Sequence, residues 1–117
     1  MLPKENRLKN DKAFFATYNV RDVVSNEYVV LYRGKKKTDD TIPTKIGFVV
    51  SKKYHKRATK RNRAKRLYRE SLRLLLKTEK AQFINKYLSM VFVIKSNSQN
   101  IDFQTCYSSV MKLLEKK

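Results

Sequence analysis

The sequence is poor in the residues that build redox and metal chemistry. One cysteine and one histidine occur among 117 residues. Cys106 has no second cysteine to bridge, and a cysteine metal cluster within one chain is excluded. With His55 the only imidazole, a metal site would rest on carboxylates, and Asp and Glu together number ten. Nothing indicates an oxidising compartment. Glycine and proline number two each, which excludes a linker or a low-complexity tract. Long apolar runs are also missing. Ile46 to Val50 and Leu74 to Leu76 are far short of the roughly 20 residues a bilayer span requires. Met1 to Lys12 is polar and charged, without the apolar core of a secretory signal. The expectation is a soluble cytoplasmic protein of one domain, residues 1–117.

What the chain has in excess is positive charge. Lysine and arginine number 28 against ten acids, a net charge of +18. Self-repulsion of that size in a folded domain points to a polyanionic partner. Nucleic acid leads. An anionic membrane comes second, and it would want a bulky apolar helix face opposite the lysines.

Three strands and three helices are readable. Asn10 or Asp11 caps a first helix carrying Ala13, Phe14, Phe15 and Tyr18, which fades between Asn19 and Asp22. Phe14 and Tyr18, four apart, share a face. Val23 to Ser25 is a candidate short strand. Tyr28 to Arg33 is β-branched and aromatic, hence a strand. Gly34 to Thr44 reads as an exposed loop. Lys45 to Ser51 is a second strand whose unbroken apolar run predicts burial on both faces. From Thr59 to Lys77 the pattern is helical, with Ala64, Leu67, Tyr68, Ser71, Leu72 and Leu75 in one stripe. Thr78 to Tyr87 fits neither period. Met90 to Lys95 is a third strand. Asp102 caps a last helix with Phe103, Tyr107, Val110 and Leu114 as its apolar stripe. The order α-β-β-(β)-α-β-α suits a two-layer α/β (α+β) sandwich with one central mixed sheet.

Between Lys52 and Lys77 stand twelve cations and one acid, Glu70, for a net +11. Like-charge blocks are often disordered tails, but an apolar stripe runs through this one and anchors it. Arg61, Lys65 and Arg69 recur every four residues, with Asn62, Arg66 and Arg73 beside them. Such a row can track a phosphate backbone through guanidinium forks. Asn62 adds an amide suited to a sugar hydroxyl or a base edge. A solvated face usually mixes signs, and this one does not. Phe14, Tyr18 and Tyr32 are candidates to stack on unpaired bases, although spacing alone favours core packing. His55 lies among cations without a partner motif. Asp39 and Asp40 sit in a polar loop, where adjacent carboxylates are ordinarily solvated. Cys106 packs beside the last apolar stripe. No phosphate loop, Ser/His/Asp set or metal-ligand spacing occurs. The residues describe a binder, not a self-contained enzyme.

The run Lys60 to Glu70, KRNRAKRLYRE, follows a strand and turn reading FVVSKK. Together they resemble the signature of the bacterial ribonuclease P protein subunit. The opening is similar as well: Asn6, Arg7 and Leu8, then Phe14 with Tyr18 four later, Asn26, and an aliphatic strand ending in Tyr32. The resemblance spans nearly the whole chain. It implies a left-handed βαβ crossover, against the usual right-handed rule. It also implies a catalytic RNA partner that removes the 5′ leader of precursor tRNA, with no catalytic residue in this chain and Mg²⁺ held mainly by RNA. The protein would be a monomer, one per RNA. The residues implied to bind RNA are Lys52, Lys53, Arg61, Asn62, Arg63, Lys65, Arg66 and Arg69. Phe14, Tyr18, Tyr32 and Lys53 are implied to line a cleft for the single-stranded leader. Two departures stand out. Tyr54, His55, Lys56 and Arg57 form a turn one residue longer than the family's and without its glycine. Arg21 stands where a glycine is common.

Three rivals remain from the residues. A structural RNA binder of ribosomal type shares charge and size. A DNA-binding module would use the basic helix, though no helix-turn-helix is apparent. A standalone nuclease would need catalytic side chains that are not found.

Overall fold

A computed structural model describes residues 2–39, 41–50 and 53–116. Asp40, Ser51 and Lys52, named above, lie outside the described residues.

Helix α1, Asp11–Asn19, starts where the Asn10 side chain accepts the Lys12 amide at 2.8 Å, satisfying a donor the helix leaves free. Arg21 then reverses the chain with a φ of 62°. Strand β1, Asp22–Ser25, pairs antiparallel with β2, Val29–Arg33. Asn26 makes the turn between them: its Oδ1 accepts the amides of Tyr28 and Val29 at 2.9 and 3.0 Å, and its amide donates to Ser109 Oγ at 2.8 Å. Strand β3 is Lys45–Val50, helix α2 Ala58–Leu75, helix α3 Ala81–Asn85, strand β4 Ser89–Ile94 and helix α4 Phe103–Leu114. The sheet order is β1-β2-β4-β3. The last strand thus inserts between β2 and β3, antiparallel to the first and parallel to the second. Helices α2 and α3 form the crossover that a parallel pair requires.

Strand alternation sends Val29, Leu31, Ile46, Met90, Phe92 and Ile94 to one face. There they pack against Tyr68, Leu72 and Leu75 of α2 and Cys106, Val110 and Leu113 of α4, all buried. The opposite face is covered only in part. Helix α1 lies over the row Tyr32–Val91–Gly47, where Val91 has no exposed surface. In the next row, Val30, Val93 and Val49 are half-buried. The architecture is the expected α+β sandwich with one mixed sheet, and α1 adds a partial third layer.

Four readings need correcting. Strand β3 is not buried on both faces along its length. It is an edge strand, with Ile46 and Gly47 buried and Phe48 to Val50 only half so. Its outer edge is engaged at one point, where the Leu8 amide donates to the Ile46 carbonyl at 3.0 Å. In α4 the buried residues are Cys106, Ser109, Val110, Leu113 and Leu114, so Val110 and Leu114 of the expected stripe are buried, while Tyr107 is half-buried and Phe103 is 37% exposed. Cysteine is as readily buried as the aliphatics, so the stripe is rotated toward it. The loop reading fails at both ends of 34–44: Gly34 and Thr44 are buried, and Thr44 Oγ1 donates to the Tyr87 carbonyl at 2.7 Å. The ambiguous stretch after α2 holds α3, too short for a helical period to register.

Candidate nucleic-acid interface

Helix α2 buries Ala64, Tyr68, Ser71, Leu72 and Leu75. At about 100° per residue, its remaining positions fall into three cationic strips. Lys65 and Arg69, with Arg61 one turn earlier, run along the flank beside β3 and the N-terminal segment. Asn62 and Arg66 occupy the exposed crest. Lys60 and Arg63 lie on the flank toward α4. Arg73 is engaged within the helix: its Nε donates to both Glu70 carboxylate oxygens at 3.0 and 3.1 Å. That bond holds the Glu70 carboxyl down to about 2.

The charge at the start of α2 runs against helix electrostatics. The first turn has no acid, and the N-cap, Arg57, provides no side-chain cap. Yet Lys56, Arg57, Lys60 and Arg61 crowd the pole that favours anions, a placement costing about 0.3–1 kcal/mol per charge. An incoming phosphate would relieve it.

On the β3 flank, Lys65 and Arg69 meet Arg7 and Lys9 around a cavity of about 340 Å³. Phe14, Gly47 and Phe48 supply its apolar wall. Asn6 ties this segment down by donating to the Thr44 carbonyl at 2.8 Å. Lys9 was not singled out from the sequence, because nothing local marks a residue brought in by an edge contact.

Phe14, Tyr18 and Tyr32 do come together around α1. A Cβ on Gly47 would sit 2.5 Å from Phe14 Cζ, so the ring rests directly on the strand backbone. Tyr18 meets Tyr32 edge-on, with ring centroids 4.7 Å apart. Burial, then the neighbouring Tyr32, pushes the Tyr18 hydroxyl pKa up. Thr17, on the same side, is buried and lies 2.6 Å from Ser89 Oγ, locking the helix in place. Phe15 points away and is 65% exposed. The two tyrosines stand at the boundary between the covered row and the half-buried row of Val30, Val93 and Val49. The half-buried valine row is thus an apolar strip of the sheet face bordered by an aromatic pair. Lys53 is exposed beyond the far end of β3, and among the described residues no contact joins it to the aromatics.

The glycine-less turn is closed by side chains. Tyr54 is buried in the core and its carbonyl accepts the Gln99 amide. His55 Nδ1 accepts the Arg57 amide at 3.0 Å, which gives the imidazole a structural task. Burial raises the Cys106 thiol pKa to about 11. Among the described residues, no three histidine, cysteine or acidic side chains stand together as a metal site. No described helix is long and apolar enough to cross a membrane.

The ribonuclease P family model matches residues 2–117. The chain belongs to the ribonuclease P protein family. The ribonuclease P protein component of Clostridium botulinum (strain Loch Maree) is 34% identical over 113 residues, covering 97% of this chain and 95% of that one. That of Caldanaerobacter subterraneus is 33% identical, covering 99% and 92%. The solved ribonuclease P protein of Thermotoga maritima superposes with a TM-score of 0.72 at 27% identity, covering 93% of this chain and 94% of that one. The chain is therefore a protein subunit of ribonuclease P, an endoribonuclease that processes tRNA 5′ ends. This favours a ribonuclease P subunit over the ribosomal-type reading. Its partner, as a protein component, is the RNA subunit of ribonuclease P.

Proposed function

We propose that the two surfaces divide the work between two RNAs. The flank and crest of α2, with Arg61, Asn62, Arg63, Lys65, Arg66 and Arg69, meet the catalytic RNA. Lys53, exposed after β3, adds to the same positive field, and Lys52 is assigned to RNA binding on the sequence alone. The groove of Phe14, Tyr18 and Tyr32 takes the unpaired 5′ leader of precursor tRNA, and Lys53 meets its phosphates. The observation that carries this reading is the α2 geometry. Its apolar stripe packs into the core, with Leu67 half-buried at its margin, which leaves the other cations outward with Glu70, already paired to Arg73, as the one acid of the helix.

The mechanism is electrostatic and geometric. Cations between two polyanions reduce their mutual repulsion, and aromatic rings stack on bases that have lost their pairing partners. Only the precursor has a leader, so leader contacts favour substrate over product. Divalent ions for cleavage, Mg²⁺ in this reading, are held by RNA phosphates, and the protein raises their occupancy indirectly. No side chain of this protein performs the chemistry. The protein works as a monomer, one per RNA, in the cytoplasm.

Reconstitution tests this directly. The protein is added to a bacterial ribonuclease P RNA at low Mg²⁺, and leader removal is followed. Stimulated cleavage is expected. Absence of stimulation, or cleavage by the protein alone, would overturn the proposal.

A further inference from the structure

On the side of the molecule away from α1, two cavities open along the seam between α2 and α4. One, of about 670 Å³, is lined by Tyr54, Lys60, Arg63, Leu67 and Phe103 among others. The second, of about 460 Å³, is lined by Leu74, Lys77, Phe103 and Tyr107 among others. Phe103 belongs to both and separates them. Each volume is in the range of small-ligand sites, and together they form one groove with aromatic rings along it and cations at its rim.

Phe103 is unusual for its place. It is the first residue of α4, it is 37% exposed, and the buried helix face is Cys106, Ser109, Val110, Leu113 and Leu114. Folding leaves this ring at the surface. Its neighbour Tyr107 lies 6.0 Å away, centroid to centroid. The one acid lining the first cavity, Asp102, is committed to the helix: its carboxylate accepts the Thr105 amide at 2.8 Å. The groove thus combines the exposed Phe103 ring and the half-buried Tyr107 ring with Lys60, Arg63 and Lys77, all three exposed.

We propose that the α2–α4 groove is a third RNA-binding surface, bordering the α2 face at Arg63, one that takes unpaired nucleotides, with bases stacked on Phe103 and Tyr107 and phosphates on Lys60, Arg63 and Lys77. Charge decides the occupant. A second copy of a chain carrying +18 would be repelled, whereas a polyanion with exposed π-faces matches both features of the groove. The site is separate from the α1 groove, which lies on the opposite face of the sheet. The proposal rests on the chain binding RNA at all.

The sequence contains no tryptophan, so Phe103→Trp installs a single reporter. The full-length variant is titrated with a fluorescently labelled single-stranded oligouridylate. Label anisotropy reports binding anywhere on the protein, and tryptophan emission reports stacking at position 103. Saturable quenching is expected, and it persists when Phe14→Ala and Tyr18→Ala are added. Phe103→Leu, which keeps an apolar side chain, weakens RNA binding about five- to hundredfold in the Phe14→Ala/Tyr18→Ala background. A rise in anisotropy without quenching overturns the groove while leaving RNA binding intact. So does quenching that disappears with Tyr18→Ala, or equal quenching by heparin, which carries charge but no bases. No anisotropy change at all would overturn the general RNA-binding reading along with it.

Discussion

Arg21 shows how one residue records a compromise. Its φ of 62° lies in the left-handed region, where a side chain costs about 1–2 kcal/mol and glycine does not. Glycine is entropically costlier in the unfolded chain, so Arg21→Gly is expected to stabilise the fold by about 0.5–1 kcal/mol. Urea unfolding reads this as a higher midpoint at unchanged slope. A lower midpoint would mean that Arg21 makes a compensating contact. The sequence signalled this position only through the family resemblance, which implies a glycine there. Cys106 offers a second residue-scale test. Its thiol pKa is raised to about 11 and the side chain is buried, so the reactive thiolate is scarce at neutral pH. An aromatic disulfide reagent at pH 8 should leave it unmodified until denaturant is added. Prompt reaction in the native protein would contradict its place in the core.

At the scale of elements, α1 is the joint between fold and groove. Phe14 sits on the bare backbone of Gly47, and an added Cβ would stand 2.5 Å from the ring. Gly47→Ala should therefore lift α1 and destabilise the protein by about 1–3 kcal/mol. It should also weaken binding of a leader-bearing substrate more than binding of the ribonuclease P RNA. Equal losses would mean that α1 does not build the groove. The bounds of α1, β2, α2 and β4 were legible to within a residue or two, because each carries a cap, a β-branched run or a clean period. What the sequence hid was arrangement. Nothing local tells that β4 inserts beside β2 and leaves β3 at the edge. Nor does the 3.6-residue period distinguish a stripe through Phe103 from one through Cys106, since both satisfy it. The RNA-facing row of α2 was legible for the opposite reason: its apolar stripe is unambiguous, so the outward residues follow. Arg7 and Lys9 join that row through an edge contact, which is a tertiary fact.

At the scale of the whole molecule, +18 acts on stability and on binding in opposite directions. Raising NaCl from about 10 to about 100 mM shortens the screening length from roughly 30 to 10 Å. Internal repulsion should fall and the thermal midpoint should rise. Over the same change RNA affinity should fall; if six to ten phosphates are contacted, the loss is about three to five decades between 50 and 200 mM. A midpoint that falls with salt would mean that ion pairs, not repulsion, dominate the charge distribution. A salt-independent affinity would contradict the phosphate contacts. The central claim is that the protein favours precursor over mature tRNA by holding the leader in the α1 groove. Its most direct test is the affinity of the holoenzyme, this protein with a bacterial ribonuclease P RNA, for each of the two. The precursor is predicted to bind about fivefold tighter or more, from at least one stacked base, with the ratio shrinking in Tyr18→Ala; equal affinities in the unaltered holoenzyme would contradict it.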